Sequence, residues 1–176
     1  MGALVATAGP QEGTKQLGVS GEILQLVTFT LGNEEYAVDI LRVQEINRMK
    51  EITRVPNSPA YVEGVINLRG KVIPVVSLRK KFGLAEREND EQSRIMIMDI
   101  QGITMGLVVD AVSEVLRIPA STVEPTPPMA SNISTEFIKG IAKMEDRLII
   151  LLDMDRLIGK PEETAMIETA TKKAIA

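Results

Sequence analysis

Apolar and polar residues alternate along an extended segment that begins at Ile23. Val27, Phe29 and Leu31 fall on one face, with Leu26, Thr28 and Thr30 on the other, which predicts a strand. Leu31-Gly32-Asn33-Glu34-Glu35 carries turn chemistry, and Tyr36-Ala37-Val38 begins the return strand. Between Ile40 and Met49 the apolar spacing fits a helical turn as well as a strand, and a short turn running into a strand is preferred. Val65-Ile66, Asn67 to Lys71 and Val72 to Val76 read as a hairpin whose tip needs the positive φ that Gly70 allows. Pro74 cannot donate to a ladder, so an edge strand or a bulge is expected there. Ser77 to Gly83 has a Ser cap and a Gly stop, the signature of a short helix.

This pattern is written twice. Tyr61 to Leu78 aligns without a gap on Phe137 to Met154, aromatic on aromatic and Gly64 on Gly140. Upstream, with a shifted offset, Gly32 is paired with Gly102, Val43 with Val112, Glu45 with Glu114 and Pro56 with Pro125. Asp153 to Gly159 repeats the cap and stop of the short helix. A duplicated β unit implies two small barrels on one plan. Glu86 to Ser93 is charged and reads as their connector, whereas Pro125 to Glu136 is a long loop rich in Pro, Ser and Thr. The expected organisation is a flexible tail over residues 1–21 and a domain over 22–160, with a first barrel at about 22–85 and a second at about 94–159. An exchange of strands between the barrels is left open. A helix over 161–176 follows, docking through Met166, Ile167 and Ala170, with acidic residues first and lysines last as its dipole favours.

Composition narrows the chemistry. Aromatics make up 3% of the chain and Trp is absent, so the core must be aliphatic. Neither Cys nor His occurs, which removes disulfides, thiolate nucleophiles and every triad that needs an imidazole base. Net charge is −4, and the longest basic run is Arg79-Lys80-Lys81; with few aromatics to stack bases, nucleic-acid binding is not expected. No apolar stretch approaches the roughly 18 residues of a membrane span, and the N-terminus lacks the basic start of a signal peptide. A soluble cytoplasmic protein without direct membrane insertion is expected.

Three site motifs fail on inspection. Gly64 to Val72 has one spacer too many for a phosphate loop, and Val72 replaces the hydroxyl that would hold magnesium. An aspartic-protease dyad needs equivalent Asp residues in both copies, but Asp39 aligns with Val108, Asp110 with Leu41 and Asp153 with Ser77. Asp153 and Asp155 form a close carboxylate pair, yet Asp153 is better explained as a helix cap than as a metal ligand. No catalytic residue, cofactor or metal is therefore assigned.

The copies differ most at their hairpin tips, Arg69-Gly70 in the first and Glu145-Asp146 in the second. A planar guanidinium beside apolar Leu68 suits a contact surface, where Arg is enriched. Leu31 to Ile46, Pro59 to Gly70, Ile73-Pro74-Val75 and Gly106 to Ser113 together resemble the bacterial chemotaxis coupling proteins of the CheW family, over roughly residues 22 to 160. The resemblance implies a mainly β fold of two pseudo-repeated five-stranded SH3-like barrels with short helices. It also implies a non-catalytic adaptor joining chemoreceptor cytoplasmic tips to the regulatory domain of a CheA-type histidine kinase, recruited to membrane-associated arrays. The receptor-facing surface would map onto Val43, Glu45, Asn67, Leu68, Arg69, Gly70 and Val112 at the junction of the barrels. For Val43 and Val112 core packing is the competing reading, and for Glu45 a solvated strand position. Outside this class, the rival is a small-ligand-binding barrel with a cavity between the copies.

Overall fold

The computed structural model describes residues 22–125, 137–158 and 161–175. The N-terminal tail and most of the Pro-rich loop expected from the sequence lie outside the described residues. Among the described residues eleven strands run in order: β1 (Ile23–Leu31), β2 (Glu34–Asp39), β3 (Val43–Arg48), β4 (Val62–Leu68), β5 (Lys71–Ser77), β6 (Arg94–Ile100), β7 (Ile103–Val109), β8 (Ala111–Pro119), β9 (Val123–Glu124), β10 (Ile138–Met144) and β11 (Arg147–Leu152). The described residues also form three α-helices: α1 (Leu78–Lys81), α2 (Met154–Ile158) and α3 (Pro161–Ile175). The ambiguous Ile40–Arg42 segment is a 3-10 turn leading into β3, with the Asp39 carboxylate accepting from the Leu41 amide. Among the described residues no helix is long and apolar enough to cross a membrane.

The strands form two sheets, ordered β8-β1-β2-β11-β10-β9 and β3-β6-β7-β5-β4. Within the repeat, β1 to β5 correspond to β6, β7, β8, β10 and β11. Each sheet therefore joins the first two strands of one copy to the later strands of the other. The seams are the parallel pairings of β2 with β11 and of β5 with β7. The two SH3-like barrels are thus built by reciprocal exchange, and neither closes from one copy alone.

Period-two alternation explains where the core sits. On β1, Val27, Phe29 and Leu31 enter a core shared between the sheets, and on β6 Met96, Met98 and Ile100 do the same. The opposite faces fill each barrel's own interior. Ile95 and Ile97 pack with Ile66, Leu68, Ile73, Val75 and Val108 in one, and Leu26 packs with Ala37, Ile118, Ala142, Ile149 and Leu151 in the other. Methionines fill much of the shared core that aromatics would fill elsewhere. Its few rings gather: Tyr36 lies 5.9 Å from Phe29 and 5.5 Å from Phe82, centroid to centroid.

Several sequence expectations need correction. The hairpin connections place Gly32 opposite Gln101, not Gly102, because Leu31 pairs with Glu34 as Ile100 pairs with Ile103. Pro56 is not the counterpart of Pro125: Val65 pairs with Thr53, and the equivalent Ile141 pairs with Glu124, which aligns Pro125 with Arg54. Pro74 lies in an interior strand. Val65 exchanges both backbone bonds with Thr53, so its partner Pro74 turns its nitrogen away from β4. The parallel ladder to β7 starts only at Val75, and the missing N–H therefore removes no bond. On α3, Ile167 and Ala170 are buried as expected, but Met166 is 45% exposed.

The Gly64–Gly140 match has a steric cause. Gly64 has φ +145°, and a Cβ there would stand 2.1 Å from the Thr53 carbonyl oxygen; one on Gly140 would stand 2.9 Å from that of Glu124. Both glycines follow a bulge that lets a neighbouring segment approach. Gly64→Ala is expected to cost about 3 kcal/mol or more, read as a lower denaturation midpoint, with Gly140→Ala milder. A native midpoint for Gly64→Ala would show that this close approach is dispensable.

Candidate functional site

The β4–β5 hairpin has a two-residue loop, Arg69-Gly70, in which both residues take positive φ, +51° and +85°. This is the backbone that a type I′ turn demands, and it matches the twist of the flanking strands. Asn67 steadies it, its Oδ1 accepting from the Gly70 amide at 2.8 Å. The sequence predicted the freedom of Gly70 but not the strained left-handed state of Arg69, which is unusual for an arginine.

From this tip the Arg69 guanidinium reaches Glu45 on β3. Nη1 donates to Oε1 at 3.3 Å and Nη2 donates to Oε2. The fork holds the Glu45 carboxyl below its ordinary range and raises Arg69 further. The Arg69 side chain nevertheless stays 71% exposed. Glu45, Asn67, Arg69 and Gly70 are thus brought together at one surface. Leu68 is not part of it: it is buried in the barrel interior, where it anchors the strand end. Val43 and Val112 are half-buried against the shared core.

Sequence reasoning missed the counterpart of this pair. Glu45 and Glu114 sit after equivalent bulges on β3 and β8. Arg147 donates to Glu114 Oε2 at 2.8 Å and to both oxygens of Glu35 at 3.1 and 2.7 Å. The second hairpin is therefore not simply anionic at this site. Its arginine comes two positions later, at the place of Lys71, and is held by two carboxylates. The alignment of Glu45 with Glu114 was the signal that a second cation should be sought.

Two further ion pairs fasten the turns where the chain crosses between sheets. Arg42 donates to the Asp155 carboxylate at 3.1 and 2.6 Å and to the Asp99 carbonyl at 3.3 Å. Asp110, the residue between β7 and β8, accepts from Arg79 Nε at 2.9 Å and from the Gly32 amide at 2.8 Å. Burial pushes the Asp110 carboxyl up, but Arg79, the Gly32 amide and nearby Arg87 together hold it below its ordinary value. Asp153 caps α2, its Oδ1 accepting from the Arg156 amide at 3.2 Å, as Ser77 caps α1.

The edge strands also expose apolar side chains. Ile46 on β3 is 39% exposed and Val115 on β8 is 54% exposed. Their cross-strand partners are Met96 and Val27, both in the shared core, so these residues carry that face to its rim.

Residues 25–162 match the family model described as a CheW-like domain. The chain is 38% identical over 148 residues to the chemotaxis protein CheW of Klebsiella aerogenes, covering 84% of this chain and 89% of that one. It is 32% identical over 143 residues to the chemotaxis protein CheW of Bacillus subtilis, covering 81% and 92%. The solved structure of the scaffolding protein TtCheW from Thermoanaerobacter tengcongensis superposes with a TM-score of 0.73 at 42% identity, covering 80% of this chain and 90% of the other.

Asp110 links this geometry to pH. Its carboxyl is lowered by folding, so its stabilisation is fully present above the unfolded pKa of about 4 and is lost as pH falls through the folded value. Denaturation midpoints should fall steeply only below about pH 4. Arg79→Met, which leaves a buried carboxylate with only the more distant Arg87, should cost about 3 kcal/mol at neutral pH and flatten the acid limb. An unchanged acid limb in that variant would remove Asp110 from this role.

Proposed function

The chain belongs to the CheW-like domain family, and from that premise we propose that it is a non-catalytic adaptor of bacterial chemotaxis arrays. It couples chemoreceptor cytoplasmic tips to the regulatory domain of a CheA-type histidine kinase, in the cytoplasm beneath the receptor membrane. The observation that carries the receptor side is the Arg69–Glu45 pair on a strained, two-residue hairpin tip. Backbone strain persists where the surroundings overdetermine it, and such positions cluster at binding sites. Compared with Arg147, which two carboxylates engage, Arg69 has one carboxylate partner and a largely exposed guanidinium. It is the cation better placed to accept a carboxylate from outside.

The receptor surface consists of Glu45, Asn67, Arg69 and Gly70 at the tip, with Val43 and Val112 at the junction of the barrels. Leu68 serves it from behind by fixing the strand that carries Arg69. An amphipathic receptor helix would lay its apolar stripe along the junction and offer a carboxylate to Arg69. The kinase domain would take an exposed barrel end, leaving the two contacts separate. Both barrel interiors are filled by their own side chains, which suits a scaffold better than a ligand carrier.

The test is calorimetric titration with the regulatory domain of the same organism's CheA-type kinase, paired with receptor-coupled kinase assays. One-to-one binding is expected. Arg69→Glu should abolish receptor coupling while kinase-domain binding and thermal midpoint stay native. A folded protein that binds no kinase domain would sink the adaptor reading. Native receptor coupling in Arg69→Glu would remove Arg69 from the contact.

A further inference from the structure

We infer that Leu41 is the apolar anchor of the receptor contact, so that the amphipathic receptor helix crosses the chain at the turn between β2 and β3. This rests on the adaptor reading above and adds the residue that fixes where the helix lies. Leu41 is 88% exposed, against 39% to 59% for the other exposed large apolar residues among the described positions.

That exposure belongs to a fixed turn. The Asp39 carboxylate accepts from the Leu41 amide at 2.9 Å, closing the turn from one side. On the other side Arg42 is forked onto Asp155, which follows β11 of the first sheet, and reaches the Asp99 carbonyl on β6 of the second. The turn that carries Leu41 is therefore tied to both sheets, and Leu41 lies two residues before Val43 of the surface proposed for the receptor. An apolar side chain on an anchored backbone loses little further entropy when a partner covers it, and such anchors dominate interface energy.

The duplication supplies the second argument. Leu41 occupies the place of Asp110 in the repeat. There the residue is buried and spends its side chain internally on Arg79 and the Gly32 amide. One copy of the turn fastens the fold, and the other, already fastened by Arg42, presents a leucine outward. The two flanks of the junction are thus chemically distinct, and the contact centres on the first. Asp39, which holds the Leu41 amide, and Asp99, whose carbonyl Arg42 reaches, are both exposed acids, so the helix should carry a Lys or Arg next to its apolar stripe.

The experiment measures binding of the full-length chain to the helical-hairpin tip of a chemoreceptor from the same organism, with the kinase regulatory domain as a parallel ligand. Leu41→Asp is expected to weaken receptor binding roughly tenfold to a hundredfold, the value of burying one leucine. Its thermal midpoint and kinase binding should stay native, and Leu41→Met should bind the receptor nearly as the native chain does. Native receptor affinity in Leu41→Asp, with Arg69→Glu still disruptive, would overturn the role of Leu41 and leave the adaptor reading standing. Native affinity in both variants, or no receptor binding by the native chain, would overturn both. Loss of kinase binding in Leu41→Asp would overturn the assignment of Leu41 to the receptor.

Discussion

The rest of the structure depends on the two parallel seams, β2 against β11 and β5 against β7. Parallel neighbours cannot be joined by a tight turn, so each seam must bring together strands that are distant in sequence. Here the distance is supplied by the repeat itself, because each seam joins a strand of one copy to a strand of the other. The barrels are consequently one cooperative body with a common core. The chain must also cross between sheets twice, at Ile40–Arg42 and at Asp110, and both crossings are pinned by an arginine–aspartate fork. The charges are reversed between the copies. Helix α1 contributes the arginine to one fork and α2 contributes the aspartate to the other, from equivalent positions Arg79 and Asp155.

That constraint limits where the copies can diverge. Strand faces are committed on both sides, one to the shared core and one to a barrel interior, which leaves tips, turns and sheet rims as free positions. The Glu–Arg pairs beside the hairpins show the divergence most clearly. In the second copy Arg147 joins β11 to Glu35 on β2 and Glu114 on β8, which makes it a brace across the first sheet. In the first copy Arg69 has moved onto the tip itself, takes a strained backbone and keeps most of its side chain in solvent. The same chemistry braces one sheet in the second copy and leaves a largely exposed guanidinium in the first.

Much of the fold was legible in the sequence because its determinants are local. Alternation placed β1, β2 and the β4–β5 hairpin, and Ser77 and Asp153 marked the short helices. The duplication emerged from Tyr61 and Phe137, whose carbonyls accept from the Ser77 and Asp153 amides at 2.8 Å in both copies. What stayed hidden is long-range. No local signal could tell that Arg147 meets residues 112 and 33 positions away, or that Thr53 sits against Gly64. The misplaced pairings Gly32–Gly102 and Pro56–Pro125 arose where residue type was followed without the register that hydrogen bonds impose. Within the candidate site Arg69 was singled out by residue type at the hairpin tip, whereas Glu45 came from the family resemblance, and the ion pair between them needed the structure. Leu68 was read as surface because it adjoins the tip, although strand alternation turns it inward.

The exposed aliphatic rims are the opposite case to Leu68. Ile46 and Val115 continue the core-facing register of β3 and β8, yet both are exposed. They stay exposed because β3 and β8 are edge strands, with no further strand to cover the rim. A shared core assembled from two exchanged sheets has such rims wherever its edge strands end. Isolated apolar residues at a surface are ordinary, but here they lie at equivalent places in the two copies and border the same junction as Val43 and Val112. Conversion of a fold-imposed rim into a contact face needs little more than directional groups to select the partner and fix its register. On the adaptor reading, Arg69 and Glu45 supply those groups beside the middle of β3, and the anchored β2–β3 turn supplies a fixed point just before the strand. On the adaptor reading proposed above, the topology sets where a contact face can lie before any residue is specialised.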